Sequence, residues 1–253
     1  MNLLLLHPHE LAPDGTAVLT DRRLAHARDV LRVGEGDTVR VGVKVGAVGT
    51  AEILASSPTA LTLRCSLFEP PPPRPGIDLV LAVPRPKALR RVIPAVASLG
   101  VDRLVLLNAT KVEKSYFDAK VLTAEALDAL AELGLEQARD TVPPRIEVRP
   151  RFRPFVEDEL DAFFPQGALR LVPDPSATEV ARAMPADARL VIAVGPDGGW
   201  TPFELDLLAR RGFMPVQLGP RVLRGEVAVP AVIGALRPTL AQGAGGAARP
   251  TAR

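Results

Sequence analysis

Two glycine-rich turns late in the chain have the residue types of a ligand pocket built from backbone. The first, Gly195-Pro196-Asp197-Gly198-Gly199, follows the apolar run Leu190–Val194. The second begins at Leu218-Gly219 after the short apolar run 216–218 and continues to Arg224. Glycine is used where a backbone bends sharply or approaches a ligand closely, and such turns expose N–H and C=O groups. Because only one short predicted helix separates the turns, they predict a single pocket.

Several common active-site signatures are absent from the sequence. The turn after the first strand of the larger region is Pro84-Arg85-Pro86-Lys87, without the G-x-G-x-x-G of dinucleotide-binding folds. A P-loop, an H-E-x-x-H zinc motif and a G-x-S-x-G nucleophile turn are also missing. The single cysteine, Cys65, excludes an internal disulfide and a cysteine-based zinc site. The sequence therefore argues against hydrolase, metalloenzyme and NAD-dependent chemistry, and no metal is expected.

The elements that must position the turns follow a proline-rich linker. A run of four prolines and Arg74-Pro75-Gly76 cannot continue a helix or a central strand. Beyond it, strand-like apolar runs alternate with helical patterns, which predicts an α/β region with a mainly parallel sheet. The predicted strands are 77–83, 103–107, 146–148, 169–172 and 190–194, and predicted helices include 119–138 and one near 155–164. The last helix, 227–236, is apolar on every side, which predicts burial on every side and Pro230 in its first turn.

The residues before the linker predict a small β-rich barrel with one helix. Residues 39–43 and 60–65 alternate like half-buried strands, and Thr20-Asp21 can cap a helix that carries Leu24, Val30 and Leu31. The predicted domain boundaries are 1–69 for this region, 70–76 for the linker, 77–238 for the α/β domain and 239–253 for a flexible tail.

Positive charge is concentrated in one stretch of a chain whose net charge is only +2. Residues 70–120 contain nine Lys or Arg against four Asp or Glu. A local field of this kind suits a polyanion, although an ordinary solvated face is an equal alternative. The apolar start at 3–6 is far too short to span a membrane and lacks a secretory signal pattern, so a cytoplasmic protein is expected.

The paired turns resemble the closing segments of the SPOUT class of methyltransferases. The closest resemblance is to the bacterial 16S ribosomal RNA uridine-N3 methyltransferases, the RsmE family, which carry GPEGG, a helix and then LGxRILRxETA. This chain has GPDGG at 195–199 and LGPRVLRGEVA at 218–228. Weaker matches are SLGV at 98–101, Glu136-Gln137, and the segment 24–33 with Gly36-Asp37. The resemblance runs from about residue 20 to 238.

This resemblance implies methyl transfer from S-adenosyl-L-methionine to N3 of a uridine in small-subunit ribosomal RNA. It also implies a SPOUT-type parallel sheet with a C-terminal trefoil knot, a preceding PUA-like RNA-binding barrel, and a homodimer. The small ribosomal subunit or its RNA is the expected partner. The residues expected to bind the cofactor are Leu171, Val194, Gly195, Pro196, Gly198, Gly199, Leu218, Gly219, Arg221 and Leu223.

Arg224 and Glu226 are the candidate catalytic residues. Uridine N3 is a weakly acidic imide that must lose its proton before it can attack a methyl group. Arg224 follows the second turn and could stabilise negative charge on the ring oxygens; the alternative is a salt bridge to Glu226. Glu226 could accept a proton, orient Arg224 or cap the last helix. Asp197 is one methylene shorter than the family glutamate and is expected to keep a structural role.

The basic residues expected to contact RNA lie in four groups along the chain. They are His26, Arg28 and Arg32; Arg85, Lys87, Arg90 and Arg91; Lys111 and Lys114; and Arg139. Lys111 and Lys114 follow the second strand, where parallel sheets form their binding crevices. Arg28 and Arg32 would share a helix face by their i,i+4 spacing. Tyr116 and Phe117 could stack on a base or pack in the core.

The sequence departs from the family pattern at three places. TETA becomes Gly225-Glu226-Val227-Ala228, the glutamate before LG is Ser98, and Arg139 aligns with the family arginine only through a one-residue deletion. These departures leave two alternatives open: a SPOUT enzyme acting on transfer RNA or large-subunit ribosomal RNA, and a non-catalytic RNA-binding protein of the same fold.

Overall fold

The first of two β-sheets is built from residues that precede the proline-rich linker. A computed structural model of the chain describes residues 2–185 and 187–237. The predicted tail, 239–253, lies outside the described residues. The strands of this sheet, in spatial order β1-β3-β4-β5-β2, are β1 (Leu4–Leu6), β2 (Thr16–Leu19), β3 (Thr38–Val43), β4 (Val48–Ser56) and β5 (Leu61–Glu69). The β1–β3 pair is parallel and the other pairs are antiparallel. The strands predicted at 39–43 and 60–65 are confirmed as β3 and β5.

The helix of this region is shorter and wider than its sequence pattern indicates. Helix α1 (Arg22–His26) is capped by Asp21, whose carboxylate accepts a hydrogen bond from the Arg23 N–H at 2.9 Å. It continues as a π turn (Ala27–Leu31) that ends at Arg32 in the left-handed conformation. The helix face expected to carry both Arg28 and Arg32 is not formed, because Arg32 lies past the last helical residue in the left-handed conformation. The Arg28 side chain instead pairs with its neighbour Asp29 at 2.7 Å.

The second sheet is entirely parallel, as its alternating pattern predicts. Its spatial order is β11-β9-β10-β6-β7-β8, and each neighbouring pair runs parallel. The strands are β6 (Ile77–Ala82), β7 (Arg103–Leu107), β8 (Arg145–Arg149), β9 (Leu169–Pro173), β10 (Leu190–Val194) and β11 (Phe213–Val216). Every residue of β6 and β10 is buried, because near-continuous apolar runs suit strands that are covered on both faces. The exception in composition is Asp78 of β6, which pairs with Arg189 at 3.1 Å.

Helices cover this sheet. They are α2 (Pro86–Ser98), α3 (Ala124–Ala138), α4 (Phe152–Pro154), which passes through a π turn (Phe155–Glu159) into α5 (Leu160–Phe163), and then α6 (Pro202–Arg210) and α7 (Gly225–Leu236). The helix predicted over 119–138 begins later, because the Thr123 hydroxyl caps α3 by accepting from the Ala126 N–H at 3.3 Å. α2 and α3 pack closely at Gly134, where a Cβ would overlap the Pro94 carbonyl.

Two expectations about the last helix are wrong. Helix α7 packs on α2 and β10, yet Val227 is 48% exposed and Gly234 lies on the same outer stripe. Pro230 is the sixth residue of α7 rather than a residue of its first turn. A proline cannot donate a hydrogen bond to the carbonyl four residues earlier. Pro230 is only half-buried, so the loss of this bond in α7 is tolerated.

The connection between β9 and β10 is fastened at both ends to later parts of the chain. Near its start, the Ala181 N–H donates to the Gln217 carbonyl at 2.9 Å, and the Gln217 N–H donates to the Glu179 carbonyl at 2.7 Å. Near its end, Arg237, which is 4% exposed, donates to backbone carbonyls. These carbonyls belong to Pro75, Met184, Pro185 and Ala188. The connection is therefore hydrogen-bonded to the segments that precede and follow α7.

An ion-pair network joins the first sheet to α3. Arg22 donates two 2.8 Å hydrogen bonds to Glu136, and the Lys44 ammonium lies 2.6 Å from Asp128 and 3.0 Å from Glu132. The three acidic residues are spaced i, i+4, i+8 along one face of the helix. Burial raises the pKa of the Glu136 carboxyl, and Arg22 offsets this only in part. Glu136, part of the EQ pair in the resemblance, therefore contacts the N-terminal region.

No helix among residues 2–185 and 187–237 combines the length and the apolar character that crossing a membrane requires.

Candidate cofactor and RNA site

The two glycine turns meet at the carboxyl ends of β9, β10 and β11. There they line a cavity of about 220 Å³. The expected cofactor residues that line it are Val194, Gly195, Pro196, Gly199, Leu218, Arg221 and Leu223. This is the edge of a parallel sheet where ligand crevices form, because the loops that leave the strands diverge there. The prediction of a single pocket from two turns therefore agrees with the structure.

Three expected cofactor residues do not line the cavity. Leu171 lies within β9 and is 1% exposed, so its side chain belongs to the core beneath the cavity. Gly198 presents its carbonyl to Lys111, whose ammonium donates to it at 2.6 Å. Gly219 has φ of 109°, a conformation that favours glycine, and it shapes the turn without lining the cavity.

Several lining residues were missed by sequence reasoning. They are Pro173, Asp174, Pro175, Asp197, Trp200, Val222, Gly225 and Ala228. Residues 173–175 stand at the carboxyl end of β9, the edge of a parallel sheet where ligands bind. The strand predicted at 169–172 was therefore a signal for these lining residues. Asp197, expected to be structural, is exposed at the cavity, and its shorter side chain does not withdraw it from the wall.

Trp200 explains why the first turn begins with glycine. The indole is 8% exposed and packs on the Phe152 ring with their centroids 5.5 Å apart. A Cβ at Gly195 would lie 3.1 Å from the indole Cδ1 and Nε1 atoms, closer than a side chain normally approaches. Gly195 thus allows the indole to form part of the cavity wall.

A single buried carboxylate anchors the first turn to the rest of the site. Glu204, at the start of α6, is 1% exposed. Its Oε1 accepts from the N–H and hydroxyl of Thr110 at 2.8 and 3.1 Å, and its Oε2 accepts from the same two groups of Thr201 at 2.8 Å each. Burial alone would raise the pKa of Glu204, but these hydrogen bonds lower it on balance. The loop that carries Lys111 is thereby fixed against α6.

Arg224 and Glu226, the predicted catalytic residues, do not form a salt bridge with each other in the described part of the chain. Arg224 is exposed and precedes α7, between Leu223 and Gly225, which both line the cavity. The Glu226 carboxylate lies 3.8 Å from Arg85 and 3.9 Å from Arg91. Within the described residues, Arg224 forms no ion pair. Glu226 therefore joins the cavity to the basic start of α2 and leaves the Arg224 guanidinium facing solvent.

The expected RNA-binding residues divide between two edges of the parallel sheet. Arg85, Lys87, Arg90 and Arg91 begin α2 and Lys111 and Lys114 follow β7, so they share the cavity's edge. Arg139 ends α3, which leads into the start of β8, and so lies at the opposite edge.

The remaining candidates lie away from the cavity. Arg139 lines a separate groove of about 290 Å³ with Arg40 and Leu31. His26, Arg28 and Arg32 remain on the helix of the N-terminal region and do not line the cavity. Tyr116 and Phe117 are half-buried against the core, which favours packing over base stacking. Across residues 2–185 and 187–237, no cluster of three or more His, Cys, Asp or Glu side chains could hold a metal ion.

Comparison with known proteins decides the family. The model of the RNA methyltransferase domain family matches residues 71–237. A ribosomal RNA small subunit methyltransferase E from Treponema pallidum (strain Nichols) is 31% identical over 240 residues, 90% of this chain and 87% of the relative. The chain belongs to the ribosomal RNA small subunit methyltransferase E family. The family predicted from the paired turns is confirmed, and with it the class of RNA methyltransferases.

Two further relatives agree with this assignment. A ribosomal RNA small subunit methyltransferase E from Mycobacterium bovis is 29% identical over 218 residues, 83% of this chain and 82% of the relative. The crystal structure of the family member from Neisseria gonorrhoeae, bound to S-adenosyl methionine, has a TM-score of 0.73 and 22% identity. The match covers 94% of this chain and 97% of that one, and at this identity it shows the common fold.

Proposed function

We propose that the protein transfers the methyl group of S-adenosylmethionine to N3 of a uridine in 16S ribosomal RNA. The observation that carries this proposal is the cavity in which both glycine turns meet, between the basic start of α2 and the exposed Arg224. The relative from Treponema pallidum is named as a small-subunit ribosomal RNA methyltransferase. The structure from Neisseria gonorrhoeae contains bound S-adenosyl methionine.

The wall of the cavity fits this cofactor chemically. Asp174 and Asp197 can accept from the ribose hydroxyls and the ammonium of the cofactor, and Arg221 can bind its carboxylate. Leu223 and Ala228 supply apolar surface for the adenine. When bound, S-adenosylmethionine supplies an electrophilic methyl group on a sulfonium.

Arg224 acts on the uracil in this proposal. As N3 gives up its proton to solvent, negative charge spreads to the neighbouring ring oxygens, and a positioned guanidinium stabilises that charge. Arg224 suits this role because it adjoins the cavity and its guanidinium faces solvent. Glu226 positions Arg85 and Arg91, whose charges attract the RNA backbone.

We extend the proposal to the domains and assembly. The hydrogen bonds of the β9–β10 connection to Gln217 and Arg237, on either side of α7, support a trefoil knot. The mainly antiparallel first sheet supports a PUA-like domain at 1–69, a linker at 70–76 and a methyltransferase domain at 77–238. The exposed apolar stripe of α7 that contains Val227 supports a homodimer. A ribosomal RNA substrate supports a cytoplasmic location.

The test is transfer of a labelled methyl group to separated unmodified RNAs. Small subunits, free 16S RNA, 23S RNA and transfer RNA are incubated with the protein and labelled S-adenosylmethionine, and nucleosides are identified by mass spectrometry. Label recovered as 3-methyluridine from 16S RNA is the expected result. Label confined to transfer RNA or 23S RNA would contradict the proposed target. Cofactor binding without transfer to any RNA would indicate a non-catalytic RNA-binding protein.

A further inference from the structure

The indole N–H of Trp200 is a buried hydrogen-bond donor that borders the cavity. Trp200 is the single tryptophan of the chain and is 8% exposed. Its Nε1 atom is buried and has no hydrogen-bond partner among the described residues. A buried donor without an acceptor is unfavourable, and native proteins rarely keep one unless something else satisfies it. The proposed cofactor role of this cavity offers such an acceptor.

The pyrrole edge of the indole lies against Gly195, a residue of the cavity wall. The atoms nearest to a Cβ built at Gly195 are Cδ1, Nε1 and Cε2 of Trp200, so the pyrrole edge faces this residue. Gly195 itself lines the cavity. Phe152 packs on the indole with an interplanar angle of 49°. The N–H therefore lies at the end of β10, where the first turn opens.

The burial of neighbouring wall residues indicates which part of a ligand reaches the N–H. Val194 and Ala228, like Trp200, are buried at 4% and 8% exposure, so this wall is enclosed and apolar. Asp197 and Arg221 are exposed, which leaves the charged groups toward solvent. An enclosed apolar wall suits a purine and its ribose, whereas exposed charges suit an amino-acid arm.

We propose that the Trp200 N–H donates a hydrogen bond to an acceptor in the adenosine half of the cofactor. This makes Trp200 a cofactor-binding residue that strengthens affinity for the nucleoside and not for the methionine arm. The proposal rests on the proposed function, because it takes S-adenosylmethionine as the ligand of this cavity.

The single tryptophan makes the test direct. The full chain labelled with ¹⁵N gives one indole N–H resonance, which is followed as 5′-methylthioadenosine, S-adenosylhomocysteine or methionine is added, with calorimetry to establish saturation. Both adenosine compounds are expected to move the resonance downfield and slow its exchange with solvent, and methionine is not. An unmoved resonance at saturation, or one moved by S-adenosylhomocysteine alone while 5′-methylthioadenosine also binds, would overturn the proposal.

Variants separate the N–H from the packing of the indole. Trp200→Phe keeps an aromatic ring without the donor and is expected to raise the Kd of both adenosine compounds by about 3- to 10-fold. Phe152→Leu, the control, disturbs the packing neighbour but keeps the N–H, so the Tm falls while Kd stays within about twofold. Wild-type affinity in Trp200→Phe would refute the role. Absence of any binding by the wild-type chain would refute the proposed function instead.

Discussion

Replacing Glu204 by glutamine tests whether one buried carboxylate holds the first glycine turn in place. In the wild-type chain, each carboxylate oxygen accepts from the N–H and hydroxyl of one threonine, Thr110 or Thr201, at 2.8 to 3.1 Å. A glutamine amide has one acceptor oxygen and one donor NH₂ group. Whichever way the amide is oriented, the NH₂ group faces a threonine backbone N–H that then has no acceptor.

The structure allows the size of this effect to be estimated. A threonine hydroxyl can rotate and accept from the new amide, so the principal loss is one charge-assisted bond to a backbone N–H, together with weakening of the others. Hydrogen bonds to charged groups contribute about 1.5–3 kcal/mol, and an unsatisfied buried donor adds a further penalty. We expect Glu204→Gln to reduce the free energy of unfolding by about 3 kcal/mol. For a chain of this length this corresponds to a Tm lower by about 6–12 °C.

The pH dependence has a definite sign. The pKa of Glu204 is lowered in the folded chain, so its stabilisation is fully present above the ordinary value of 4.5 and is lost as the pH falls through the folded pKa. The difference between wild type and Glu204→Gln should therefore be large at pH 7 and shrink below pH 4.5.

Urea denaturation and calorimetry at pH 7 and below pH 4.5 measure the difference in stability between wild type and Glu204→Gln. The control is Asp206→Asn on the same helix, whose exposed carboxylate pairs with the exposed Arg210 at 2.8 Å. It should change stability by no more than about 0.5 kcal/mol. If Glu204→Gln is no less stable than Asp206→Asn at pH 7, the anchoring role of this carboxylate is refuted.

Three further substitutions test the site and the packing beneath it. Arg224→Ala should lower kcat by about 10²- to 10³-fold while calorimetry finds the cofactor Kd within about twofold; equal loss of both would assign Arg224 to cofactor binding. Arg85→Ala should reduce the slope of log RNA affinity against log salt by about 0.7–0.9, whereas Arg210→Ala, remote on α6, should not; equal slopes would remove Arg85 from the RNA surface. Gly134→Ala should lower the free energy of unfolding by more than about 2 kcal/mol in urea, because its Cβ would overlap the backbone of α2. Gly234→Ala, which meets no atom within 4 Å, should be neutral or stabilising, and a similar loss in both would disprove the packing argument.

The parallel sheet could be predicted from sequence because its signals are local. β6 is apolar apart from Asp78 and β10 is apolar throughout, and burial on both faces follows from that composition. The start of α3 was misjudged because the cap at Thr123 competes with an apolar pattern that begins earlier. The outer stripe of α7 was missed because apolar composition does not specify which side has a neighbour.

The sequence predicts those parts of the cavity that depend on residues close together in the chain. The glycines identify both turns in the sequence. The turns line one cavity because parallel strands end at a common edge of the sheet. The pairing of Glu226 with Arg85 and Arg91 instead depends on how α7 packs on α2, far away in sequence. Trp200 carried no sequence signal as a lining residue; its burial beside Gly195 becomes evident only in three dimensions.

The hydrogen bonds made by Arg237, directly after α7, have a consequence for the order of assembly. Arg237 contacts the carbonyls of Met184 and Ala188 and, across most of the chain, that of Pro75, so these contacts need residues that are synthesised late. Leu223 and Ala228, which both line the cavity, flank the start of α7. Contacts this distant in sequence form slowly. A nascent chain can therefore complete its N-terminal sheet early, but the cavity has all of its walls only after translation has passed α7, so a product truncated before α7 would keep the first sheet and lack a complete cavity.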